Sequence, residues 1–214
     1  MDSLNKDDVL AFLKFMADEM PKHSERLREL DAKIGDGDLG ITISLGMKAI
    51  KENLGSLAEK NIGEIVAHSG MNFNRAAAST FGVIFATALM RAGKALADKQ
   101  EAGVGELADM LRAAAEGAQQ RGKAAVGDKT VLDVLFPMAE EAEKAAQQSL
   151  SLEQAVRNIR ARCEKALAET AKMTGRHGRA GWLKEQSVGV VDPGSAAICL
   201  MVECFERYVT GKGQ

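Results

Sequence analysis

Between residues 30 and 42 the chain reads Leu-Asp-Ala-Lys-Ile-Gly-Asp-Gly-Asp-Leu-Gly-Ile-Thr, which sets three carboxylates, Asp31, Asp36 and Asp38, among Gly35, Gly37 and Gly40. The glycines break a helix, and in an extended loop Asp36 and Asp38 project to the same side. Asp31 lies about one helical turn upstream, near a helix end, and can point to the same place. Three carboxylates gathered around one point repel each other and persist ionised only with a cation between them. Hard oxygen ligands with room for water and phosphate select Mg²⁺. A helix begins after Gly40, and its free N–H groups attract anions, so the chemistry implied is metal-bridged phosphate. One Asp-Gly pair alone reads most simply as a turn. Three acids with three glycines favour the metal.

Other patterns that touch this stretch fail on physical grounds. Gly35, Gly37 and Gly40 satisfy the dinucleotide glycine spacing, but no strand precedes them and two acids inside the loop repel a pyrophosphate. Gly35 and Gly40 have P-loop spacing, yet Ile41 stands where a lysine must reach the phosphates. An EF-hand starting at Asp36 or Asp31 needs its bidentate acid at Met47 or Thr42, and neither supplies one.

Three further loops carry weaker signals. Ser79-Thr80-Phe81-Gly82 opens an apolar helix, with Ser79 as its cap and an anion as a second user of the same N–H groups. Gly122-Lys123-Ala124-Ala125-Val126-Gly127-Asp128-Lys129-Thr130 precedes another helix, with Asp128 the expected cap. Gly178-Arg179-Ala180-Gly181-Trp182, followed by Asp192-Pro193-Gly194-Ser195, combines a turn, a cap and an arginine between small residues. Such an arginine forks onto phosphate or stays solvated. His23, His68 and His177 are too far apart for a local zinc pattern and read as surface or packing residues. The ten methionines read as core filler. No strand-to-helix nucleophile elbow is present.

The elements that must position these loops are helices. Val9, Leu13 and Met16 start a first, Pro21 enters a second, Ile43, Met47 and Ile50 mark a third, and a fourth begins near Asn61. Ser79 to Met90 is apolar on several sides and belongs near the centre. Further helices run from about Gly105 to Gln120, from Asp128 through Met138, from the capping box Ser151 with Gln154, and after Ser195. Ser187 to Val191 alone reads as strand, and one strand makes no sheet. The expected fold is all-α, a barrel or bundle of about eight antiparallel amphipathic helices, with residues 1–214 as a single domain.

Composition narrows the function classes. With 28 basic against 30 acidic side chains, pI ≈ 6.0 and 4% aromatics, the chain lacks the charge and stacking platforms of a nucleic-acid binder. No apolar run reaches a membrane span, and the acidic, polar start is unlike a signal peptide. Cys163, Cys199 and Cys204 fit no metal spacing and read as buried thiols, so a cytoplasmic, reducing setting is expected.

On these residues the sequence resembles the nucleotide-binding L subunit of dihydroxyacetone kinases, which also forms one end of single-chain ATP-dependent enzymes. The motifs are Leu-Asp-x-x-Ile-Gly-Asp-Gly-Asp-x-Gly at 30–40, Arg-Gly-Lys-Ala-x-x-Gly-Asp-Lys-Thr at 121–130, and Gly-Arg-Ala followed by Ser187, Gly189 and Asp192-Pro193-Gly194, in order over nearly the whole chain. The resemblance implies a barrel of eight antiparallel helices with ADP or ATP at one end. It implies two Mg²⁺ ions on Asp31, Asp36 and Asp38, and nucleotide contacts from Leu39, Gly40, Ile41, Thr42, Thr80, Phe81, Gly122, Val131, Arg179, Asp192, Pro193 and Gly194. It further implies half of a two-component kinase: a separate K subunit holds a small ketose, and phosphate comes from ATP or from bound ADP recharged by a phosphohistidine protein of the sugar phosphotransferase system. A homodimer is compatible with it, as is a non-catalytic ADP-binding regulatory or scaffold protein of the same fold. This chain departs from the family pattern at Ala77-Ala78, where glycines are usual, and at Leu39 and Ile41, which replace polar residues of some relatives.

Overall fold

The computed structural model describes residues 2–211. Eight helices of 14 to 19 residues dominate them: α1 (Lys6–Glu19), α3 (Leu39–Leu57), α4 (Ile62–Ala76), α5 (Thr80–Ala95), α6 (Val104–Gly122), α7 (Leu132–Gln147), α8 (Leu152–Thr170) and α10 (Pro193–Val209). Two shorter helices, α2 (Ser24–Asp31) and α9 (Ala180–Leu183), complete the set. Their starts are written in capping chemistry. Asn5 with Asp8, Asn61 with Glu64 and Ser151 with Gln154 form reciprocal boxes, and Asp192 caps α10 with Pro193 in its first turn.

Sequence neighbours are spatial neighbours. Each of α3 to α8 packs on the next, α8 packs on α10, and α10 packs on α1, which returns to α3. Short connections make the staves antiparallel, and the ring closes into the expected all-α barrel. Apolar residues at helical spacing fill it. Val9, Leu13 and Met16 of α1, Ile43, Met47 and Ile50 of α3, and Leu152, Val156 and Ile159 of α8 all join one core cluster. An apolar cavity of about 200 Å³ remains along the axis, between Phe12, Met16, Phe85, Leu135 and Met201. No helix of the described residues is long and apolar enough to cross a membrane.

Three expectations are corrected. Ser187 to Val191 is not a strand: a 3₁₀ turn, Lys184–Ser187, ends there and Gly189 bends with φ 94°, so its bonds are local or reach loop atoms. Helix α7 begins at Leu132 rather than Asp128, and Asp128 does not cap it; Asp133, in its first turn, instead accepts from Gly127 N (2.5 Å) and Thr130 N (2.7 Å) and so ties the preceding loop to the helix. Cys163 and Cys199 are joined as a disulfide between α8 and α10, leaving Cys204 as a buried free thiol.

Alternation of the staves gathers the α2–α3, α4–α5, α6–α7 and α8–α10 connections at one end of the barrel. These are the four loops with chemical signals.

Candidate functional site

Asp31 is the last residue of α2, and its Oδ2 accepts from the backbone N–H of Asp38 (3.1 Å) and Leu39 (3.3 Å), tying the end of α2 to the start of α3. The loop between them turns at Gly37 with φ 75°, a conformation that favours glycine. Gly40 has no room for a side chain, because a Cβ there would sit 2.1 Å from the Ser24 carbonyl oxygen of α2. This close crossing folds the acidic loop back on itself. One oxygen each from Asp31, Asp36 and Asp38 then lies within 4.8 Å of the others.

Burial pushes the Asp31 carboxyl above its ordinary value, the charge of Asp36 adds to this, and the N–H donors at Leu39, Gly37 and Asp38 oppose it. Asp38 is likewise raised by burial first and then by Asp36 and Asp31, with Arg179 opposing. Oxygens trans across an octahedral Mg²⁺ are about 4.2 Å apart, so a cluster of this span and hardness fits one or two such ions after small side-chain adjustment. Arg179 Nε lies 2.7 Å from Asp36 Oδ2, and its guanidinium sits 5.8 Å from the centre of the Trp182 ring.

Beside the cluster opens a cavity of about 730 Å³. Asp38 and the start of α5, Ser79 and Thr80, form its polar side; Ile84, Val131 and Leu132 form an apolar wall. Ser79 Oγ accepts from Gly82 N (3.0 Å), which leaves the N–H groups of Thr80 and Phe81 as first-turn donors. Gly122, at the end of α6, also lines it. Gly194 lies against Val131 and Phe81: a Cβ at this glycine would be 2.9 Å from Val131 Cγ1 and 3.4 Å from Phe81 Cδ2. Asp192 is buried; its Oδ2 accepts from Ser195 N (2.6 Å), and burial pushes its carboxyl up to about 6.

The structure thus collects Asp31, Asp36, Asp38, Thr80, Gly122, Val131, Arg179 and Gly194 at one end of the barrel. Others of the sequence-derived set show different faces. Leu39 and Thr42 are buried, Pro193 is buried in the first turn of α10, and Ile41 projects outward. The Phe81 ring stacks on Phe85 with centroids 5.7 Å apart and meets Phe73 edge-on, so that side chain belongs to the core.

Sequence reasoning missed His177 and Arg121 in the cavity wall. His177 Nε2 is 2.9 Å from Asp128 Oδ2, and that carboxylate is held below the ordinary range first by the Ala125 N–H and then by His177 and Arg176. The partners are 49 positions apart, so no local spacing could have joined them.

Comparison with known proteins gives the family and the fold. The DAK2 domain matches residues 33–207. The chain is 34% identical to the ADP-binding subunit DhaL of the PEP-dependent dihydroxyacetone kinase of Escherichia coli (strain K12), over 94% of this chain and 96% of that one. It is 29% identical to the L-erythrulose kinase of Pectobacterium atrosepticum over 94% of its own length, where it spans only 34% of the longer protein. The crystal structure of the dihydroxyacetone kinase from C. freundii in complex with AMP-PNP and Mg²⁺ superposes with a TM-score of 0.72 at 20% identity, over 97% of this chain and 34% of that one, and shares its fold. With the DAK2 match spanning most of the chain and a full-length relative above 30% identity, the chain belongs to the DAK2 domain family and is of the DhaL type.

Proposed function

We propose that residues 1–214 form one nucleotide-binding unit, the phosphoryl-transfer subunit of a two-component kinase for dihydroxyacetone or a similar small hydroxyketone, acting in the cytoplasm. The observation that carries this reading is the convergence of three aspartate oxygens within 4.8 Å at the mouth of a cavity faced by a helix N-terminus. Mg²⁺ on Asp31, Asp36 and Asp38, two ions in this reading, would neutralise phosphate charge during transfer. The chain's own residues do the positioning. First-turn N–H groups at Gly40 and Ile41 of α3 and at Thr80 and Phe81 of α5 receive phosphate oxygens. Leu39, Thr42, Asp192 and Pro193, being buried, support these turns and contribute through their backbone. Gly122, Val131 and Gly194 border the slot for the base, and Arg179 offers a guanidinium beside Asp36.

The ketose resides on a separate K subunit. The exposed apolar side chains of this chain support a docking face around the site: Ile41 and Leu45 share a face at the start of α3, Val126 and Val188 lie in the end loops, and Trp182 of α9 is 79% exposed. Phosphate comes either from exchanging ATP or from bound ADP recharged by a phosphohistidine protein. Relatives named as PEP-dependent and PTS-dependent favour the second scheme, and Mg²⁺ with ADP or ATP is the cofactor set in both.

The test is mass analysis of nucleotide in the purified protein, followed by phosphate transfer to dihydroxyacetone with a K subunit and either ATP or the phosphohistidine donor. Mg²⁺-dependent ADP binding with transfer is expected. Binding without transfer from either donor would instead establish the regulatory or scaffold reading, and no binding would overturn both.

A further inference from the structure

Lys129 has no part in the scheme above, yet its placement is costly. Its side chain is buried at 2% exposure, its backbone takes φ 61°, and its ammonium meets two neutral carbonyls, Met173 O at 3.1 Å and Ser187 O at 2.5 Å. Burial disfavours the charge and Asp192 supplies the opposing one. A buried cation whose hydrogen bonds go only to neutral carbonyls, with Asp192 as a countercharge and on a backbone that lysine rarely adopts, is a poor source of stability. What it achieves is geometric. Met173 and Ser187 stand on the two arms of the loop spanning 171–190, and one ammonium bridges them. Two further bonds close the same neck: Gly189 N donates to Ala171 O (2.7 Å) and Gly175 N donates to Ser187 Oγ (2.8 Å). Beyond the neck the loop carries His177, bonded to Asp128, and Arg179, bonded to Asp36. Consecutive residues therefore grip the loop at two heights, Lys129 at the neck and Asp128 nearer the tip.

We propose that Lys129 is a positioning residue: it clamps the neck of the 171–190 loop and thereby aims Arg179 at the acidic cluster. The kinetic part of this rests on the phosphoryl-transfer reading; the structural part does not. Trypsin tests the latter, because the loop tip offers Arg176, Arg179 and Lys184. Losing two hydrogen bonds from a charged donor should raise the open population, and with it the cleavage rate in K129M, by at least about tenfold. Trp182, the single tryptophan of the chain, is already 79% exposed, so its quenching by acrylamide should rise only slightly. A Lys99→Met control at the opposite end, where Lys99 pairs with Glu106, should leave both readings unchanged. With a K subunit present, K129M should lose about a hundredfold in transfer rate, as expected when the Arg179 guanidinium beside the acidic cluster is misplaced, and less than tenfold in MgADP affinity.

Ser187→Ala removes only the Oγ bonds at the neck and should give a smaller change in the same direction. Folded K129M with wild-type cleavage and quenching overturns the proposal. So does failure of both variants to fold, which would make Lys129 a core-stability residue. Absence of MgADP binding in the wild type would instead sink the functional reading and leave the cleavage result standing.

Discussion

Two cavities of the barrel are made by different means. The axial one is bounded by side chains of the staves and is apolar throughout; the terminal one is bounded by loops and by Asp38, Arg121 and His177 as well as apolar residues. Charges divide in the same way. On the staves carboxylates have partners: Arg112 forks onto Glu143 and holds it below its ordinary range, and Glu19 is held low first by Lys22 and then by Arg207. At the loop end Asp31, Asp38 and Asp192 are pushed up instead, while Asp128 there is held low by the Ala125 N–H and by His177. Backbone strain follows suit, since Lys123, Lys129 and Lys184 adopt positive φ in these loops, against Ser149 at the far end. The wall pairs its acids with cations, whereas the loop end brings together three carboxylates, Asp31, Asp36 and Asp38, whose mutual repulsion a cation from outside would relieve.

The sharpest break in this contrast is Asp36→Ala. Outer-shell changes cost about 10–100-fold in metal affinity, so loss of a ligand should cost more than about a hundredfold in Mg²⁺-dependent ADP binding, measured by titration calorimetry. Stability without Mg²⁺ should shift by less than about 1 kcal/mol, because an exposed Arg179–Asp36 pair is worth little and its loss is offset by relief of carboxylate repulsion. A large fall in melting temperature with intact MgADP affinity would make the cluster an ordinary turn.

Next in size is the Cys163–Cys199 bridge, which lies in the wall and encloses the 171–190 loop within its 36-residue span. Thiol titration in denaturant should count one free cysteine before reduction and three after. Reduction should lower stability by about 3–4 kcal/mol on loop-closure grounds while MgADP affinity stays within twofold. Three free thiols in the untreated protein would restore the reading of the cysteines as reduced.

How far the sequence revealed each part follows the same division. The staves were legible because Val9, Leu13 and Met16, or Ser151 with Gln154, encode packing and capping within a few residues. The acidic loop was legible for the same reason, its acids and glycines lying within ten positions. The Asp128–His177 pair, the Lys129 clamp and the disulfide depend on which distant segments the closed barrel makes neighbours, and periodicity carries no such information. Ser187 to Val191 misled because Val188, Val190 and Val191 favour extended backbone, while Ser187 Oγ and the turn at Gly189 bind that segment to its own loop. Phe81 shows the limit at one residue: its position at the α5 start suits a nucleotide contact, and its ring serves the core.

The smallest expected effect tests whether Asp192 belongs to the strained end although it caps a wall helix. Its carboxyl is raised from 3.8 to about 6, chiefly by burial. Between about pH 4 and 6 the folded protein therefore holds a proton that the unfolded chain has released, so this group's contribution to stability falls as pH rises through that window and is flat above it. Asn at 192 keeps the cap and the shape without the ionisation. Carboxylates held low by partners, such as Glu19 and Glu143, pull the opposite way in both proteins and cancel in the comparison. Chemical denaturation of D192N and wild type should show the variant gaining relative stability from pH 4 to 6, by at most about 3 kcal/mol for a shift of two pH units, and no further gain above. Parallel profiles would mean that Asp192 is ionised in the fold across the whole range, stabilised by the α10 N–H groups as an ordinary wall cap.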